Sequence, residues 1–122
     1  MGISSLIRRE ENSDSGRFLQ AMTTFDSDGG VELSQLRPGT ILEVQTRNST
    51  YTVIPQERGE LLIWGNAHYC PEPVKISSLG SCYATGVLRK DYIGLGMRLS
   101  FRIADHHITT SRILKIQPKP RN

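Results

Sequence analysis

The sequence predicts an all-β, mainly antiparallel fold: a small six- to seven-stranded β-barrel behind a flexible, partly helical N-terminal leader. Three observations carry this. Ile occurs eleven times and Thr nine times, whereas Ala, the best helix former, occurs only four times. Beyond residue 39, apolar and polar residues alternate with the strand period of two, in short runs. Turn residues interrupt those runs at the close spacing of all-β folds, with no helical segment between them. Roughly eighty residues are few for two full sheets, and rolling one sheet up removes its exposed edges, which favours a barrel over a sandwich.

The leader covers residues 1–36. Two polar runs, 10–16 and 26–30, bury too little apolar surface to offset chain entropy and are expected as mobile linkers. Between them, Phe18, Met22 and Phe25 fall at i, i+4 and i+7, one face of a short helix over 17–25 with Ser15 as cap. Two turns of helix are marginal in water. That face is therefore expected to dock on its own domain or on a second subunit, which makes Phe18, Met22 and Phe25 the candidate oligomer contacts.

The barrel domain is expected over 37–117, with a basic tail at 118–122. Pro38-Gly39 suits a type II turn, Pro setting φ and Gly accepting a positive φ. A strand over 40–46 follows, Leu42 and Val44 alternating with Glu43 and Gln45, and a turn at 47–49 returns the chain over 50–54. A third strand over 60–65 is apolar on both faces and expected at the centre of the sheet. A loop over 66–73 leads to strands over 74–78 and 81–88. In the last hairpin Met97, Leu99, Phe101 and Ile103 face inward while Arg98, Ser100 and Arg102 face outward. A four-residue turn at 104–107 pairs Ile103 with Ile108 and would point Arg112 into the core, a costly placement for a charge. Either a bulge near Ser111 shifts the register and turns Ile113 inward, the favoured expectation, or Arg112 lies at the barrel mouth beside a carboxylate.

Composition narrows the function. The longest apolar run is four residues, Leu61 to Trp64, so no segment approaches the ~18 residues of a membrane span. The opening residues lack the order of a secretory signal, so an intracellular, cytoplasmic setting is expected, where Cys70 and Cys82 are free thiols. Charge is uneven. Residues 1–40 are net −2, and 89–121 carry eight Lys or Arg against Asp91 and Asp105. A basic half suits a polyanion, and Arg89, Arg98, Arg102 and Lys115 would carry it. Exposed aromatics are not interleaved with these cations along the chain, so nucleic acid is the alternative partner rather than the favoured one.

No catalytic constellation stands out. Cys82, in Gly80-Ser81-Cys82-Tyr83-Ala84, echoes a nucleophile elbow, but strand rather than helix follows it. His68-Tyr69-Cys70 and His106-His107 have ligand types for zinc without the short-spaced pairs of structural sites. Neither a catalytic residue, a metal ligand nor a cofactor is assigned, and a metal- or thiol-dependent enzyme is the remotest alternative. Gly94 and Gly96 lack the third glycine and the helix of a dinucleotide loop. Trp64 is expected to fill the core while Tyr69 lids one end. Otherwise the loop with Trp64, His68 and Tyr69 offers the aromatic contact surface of a partner site. The expectation is a non-enzymatic binding or assembly module that self-associates or takes a protein partner. Its candidate surface is Trp64, His68, Tyr69, Arg98, Arg102 and Lys115.

Overall fold

A computed structural model describes residues 25–120. Phe18, Met22 and all of the expected helix except its last residue lie outside them. The described residues form ten strands and two single-turn 3-10 segments, Leu33–Gln35 and Glu57–Gly59. The strands are β1 (Val31–Glu32), β2 (Ile41–Thr46), β3 (Thr50–Pro55), β4 (Leu61–Trp64), β5 (Val74–Ile76), β6 (Leu79–Cys82), β7 (Leu88–Lys90), β8 (Tyr92–Ile93), β9 (Arg98–Ile103) and β10 (His106–Lys119). Among the described residues no helix is long and apolar enough to cross a membrane.

Eight strands form one antiparallel ladder in the order β5-β4-β3-β2-β10-β9-β6-β7, and β1 pairs separately with β8. The ladder is open, ending at β5 and β7. It is nevertheless strongly curved, because only Ser77 and Ser78 separate β5 at one end from β6 near the other. Three peptide steps span at most ~11 Å, so the two ends of the ladder lie close together.

The long β10 makes that curvature possible. Its first half pairs with β9 and its second half with β2, with register breaks between Thr109 and Arg112 and between Ile113 and Lys115. Bulges bend a strand and increase its twist, so β10 changes partners at the expected place. The result is Ile113 at 1% exposure and Arg112 in solvent.

Several expectations change in detail. The segment 81–88 is not one strand: β6 ends at Cys82, the chain turns through Gly86 at φ 92°, and β7 returns beside it. That extra hairpin raises the ladder to eight strands. β4 is not central but second from the end. Its period of two buries Leu61 and Ile63 and leaves Leu62 and Trp64 half-buried on the opposite face, so Trp64 does not fill the core. The last turn needs two residues, not four. Ala104 takes φ 55°, His106 pairs with Ile103, and Ile108 rather than Thr110 stands opposite Phe101.

Leu42, Val44, Met97, Leu99 and Phe101 are all buried, as the alternation requires. Residues 25–36 pack onto this body instead of trailing from it. Val31, Leu33 and Leu36 join the core, and Phe25 packs against it. The polar run 26–30 is not loose. Asp26 Oδ1 accepts the amides of Asp28 and Gly30 at 3.0 and 2.8 Å, and Oδ2 accepts the Tyr92 hydroxyl at 2.7 Å. A Cβ on Gly30 would collide with the Tyr92 ring, so glycine is what lets the latch close.

The latch carries a pH signature. The Tyr92 hydroxyl, then the Gly30 amide, hold the Asp26 carboxyl below its ordinary 3.8. Burial, then the bond to Asp26, push the Tyr92 phenol up to about 12. A depressed carboxyl stabilises the fold above its ordinary value and loses that effect as pH falls through the folded one. A raised phenol stabilises it below about pH 10 and loses that effect as pH rises towards about 12. Melting curves should therefore show the Tm of the native chain dropping between pH 10 and 12, and Tyr92→Phe should show a shallower drop. Equal drops would exclude the latch.

Candidate polyanion-binding face

The outer face of the β10–β9–β6 region is built by strand periodicity. On β9, the exposed Arg98 and Arg102, with the covered Ser100 between them, alternate with the buried Leu99 and Phe101. On β10, His107 and Thr109 share that face, opposite Arg102 and Ser100. Past the bulge, Arg112 stands directly opposite Arg98.

The turn between β2 and β3 adds a third guanidinium. Thr46 Oγ1 donates to the Ser49 carbonyl at 2.8 Å and accepts the Ser49 amide at 3.0 Å, closing the turn on itself. The turn is then pinned to β10: the Arg47 amide donates to the Arg112 carbonyl at 3.0 Å, and the Asn48 amide to Ser111 Oγ at 3.0 Å. Arg47, Arg98 and Arg112 thereby line one open hollow of about 670 Å³, with Asn48 and Ser111 between them. Like charges directly opposite one another on neighbouring strands are destabilising, so the arrangement works against the fold.

Three further hollows continue from it. One of about 530 Å³ shares Arg98 and runs over Tyr83, Ser100 and His107. One of about 300 Å³ adjoins that second hollow, sharing its Ser100 and His107, and reaches Lys90 and Arg102. One of about 340 Å³ shares Asn48 and Ser111 and reaches Tyr51, Asn66 and Tyr69. Among the described residues no acidic side chain lines any of the four. Among the described residues none of the five cations Arg47, Lys90, Arg98, Arg102 and Arg112 is in an ion pair. The separate hollow beside the 3-10 turns is of the opposite kind, lined by Glu57, Glu60 and Asp91 together with Arg58.

The residues singled out in the sequence divide accordingly. Arg98 and Arg102 lie on this face. Lys115 does not line it, being paired in register with Gln45 in the other half of β10. Arg89 is compensated, with its guanidinium 3.3 Å from Glu32 and 3.6 Å over the Tyr92 ring. Trp64 lies outside the hollows.

In the 66–73 loop, Asn66 Oδ1 accepts the amides of His68 and Tyr69, both at 2.8 Å, and sets the Tyr69 ring 5.3 Å from His106. Tyr69 lines the fourth hollow and His68 does not. No binding role attaches to Arg47, Arg112 or Tyr83 in the sequence, and His107 stands out there only as a zinc-type ligand. Beside the outward spacing of Arg98 and Arg102, the awkward phasing of Arg112 is the signal in the sequence that points here.

Cys70 is buried, and burial pushes its thiol pKa up, away from the thiolate needed for reactivity. Cys82 is half-buried, and both thiols are free. Among the described residues no three His, Cys, Asp or Glu side chains are grouped to hold a metal ion. Ser100 Oγ and His107 Nε2 lie 2.7 Å apart, with no carboxylate bonded to the imidazole among the described residues. No family model, curated protein or solved structure matches the chain.

Proposed function

We propose that the chain is a non-enzymatic β-barrel binding module that holds a phosphate-bearing polyanion on the face of Arg47, Arg98, Arg102 and Arg112. One observation carries the reading: four connected hollows, three of them lined by cations without an ion pair, and no acid among the described residues that line any of the four. Cations set opposite each other cost stability in the free protein and repay it only when an anion neutralises them. The barrel reading is supported by the two-residue link that brings the ends of the ladder together.

The non-enzymatic reading is supported by the Ser100–His107 pair. A serine beside an imidazole becomes a nucleophile when a third group orients that imidazole, and among the described residues no carboxylate is bonded to the His107 ring. The assembly role of Phe18, Met22 and Phe25 is the weaker reading, because Phe25 already packs on the chain's own core.

Titrating the full chain with inorganic polyphosphate by calorimetry tests the proposal. Saturable binding is expected, with log K falling against log salt at a slope of roughly −2 to −4, as three to five phosphate contacts require. Absence of binding at the lowest salt overturns it.

A further inference from the structure

We infer that the polyanion is a single strand of nucleic acid, its phosphates on the arginines and its bases on Tyr69 and Tyr83. This rests on the anion-binding reading above and adds to it. Along the chain the aromatics and cations are not interleaved, but the fold interleaves them. Tyr69 lines the hollow that shares Asn48 and Ser111 with the arginines, and Tyr83 lines the hollow that shares Arg98 with them. The face therefore runs aromatic, cationic, aromatic.

Both rings are open to solvent, Tyr69 at 37% and Tyr83 at 53% exposure. The backbone that carries each ring is also held by hydrogen bonds. The Asn66 carboxamide fixes the Tyr69 backbone, and the Tyr83 carbonyl accepts the Gly86 amide at 2.8 Å in the β6–β7 turn. An exposed ring on held backbone, beside a cation, is what a base and its phosphate need, since every base offers a π-face to stack.

Other polyanions use only part of this surface. Polyphosphate has no ring to place on the tyrosines. A double helix offers its phosphates but keeps its base faces stacked inside. An unpaired strand uses the arginines, both rings, and the exposed polar groups of Asn48 and Thr109 between them.

The test is fluorescence anisotropy of the full chain with a labelled oligothymidylate of about fifteen nucleotides, within the usual span of a small single-strand site. The same-length duplex and labelled polyphosphate serve as competitors. The oligothymidylate is expected to bind more tightly than either. Tyr83→Ala and Tyr69→Ala are each expected to weaken it about five- to a hundredfold, Tyr83→Phe is expected to retain binding, and none of the three should change polyphosphate affinity. Polyphosphate binding without tighter oligonucleotide binding, or an oligonucleotide affinity unmoved by both Ala variants, overturns this inference and leaves the anion-binding reading standing. Duplex bound as well as single strand also overturns it. If neither anion binds, both readings fall.

Discussion

Replacing Arg98 with glutamate is expected to weaken polyphosphate binding by about tenfold or more and to flatten the salt slope by about one unit, while Tm holds or rises slightly. Arg98 is the residue that the arginine hollow and the Tyr83 hollow share, so its loss cuts the track in two. The stability side follows from the register. Arg98 stands opposite Arg112, and a carboxylate there turns a repulsive cross-strand pair into an attractive one. Lys115→Glu makes the same change in net charge on the other half of β10, opposite Gln45. It is expected to leave affinity nearly unchanged. Equal losses in the two variants, measured by calorimetry at one salt concentration, would mean that net charge rather than this face governs binding.

Phe101→Ala is expected to remove about 3–5 kcal/mol of folding stability, a large share of the ~5–15 kcal/mol of a small domain. Phe101 is 3% exposed on β9 and meets the ring of Tyr51 on β3 edge to face, with centroids 6.0 Å apart. The two residues lie on opposite sides of β10, so the contact joins the β5-β4-β3-β2 half of the sheet to the β9-β6-β7 half. Truncation leaves a cavity at that seam and forfeits an aromatic pair. Urea unfolding should show a lower midpoint at an unchanged slope. A loss of under about 1 kcal/mol would mean that the seam collapses freely and does not organise the curled sheet.

The fold was legible where one rule decided each residue. Alternation placed Leu42, Val44, Met97, Leu99 and Phe101 inside, and the cost of burying Arg112 located the bulge of β10. What misled was local composition. The 26–30 run has the polarity of a linker, yet Asp26 caps its own turn and receives a hydroxyl from Tyr92, a partner 66 residues away. Trp64 has the bulk of a core residue, yet lies on the face of β4 opposite Leu61 and Ile63.

Less of the site was legible than of the fold. Arg98 and Arg102 could be placed on an outward face by their spacing alone. The convergence of Arg47, Arg98 and Arg112 depends on a turn bonding across to a bulge, and the flanking of those arginines by Tyr69 and Tyr83 depends on which loops the sheet brings together. Neither has a signature in chain order. Lys115 and Arg89 illustrate the converse: both add to the basic count, but one lies off the face and the other is matched by Glu32.

The most direct measurement is a backbone amide spectrum of the full chain recorded while polyphosphate is added. The account predicts that shifts concentrate at Arg47, Asn48, Arg98, Ser100, Ser111 and Arg112, with the 57–60 turn unmoved. Shifts spread evenly over the basic residues, or centred on Lys75 and Lys119, would contradict it.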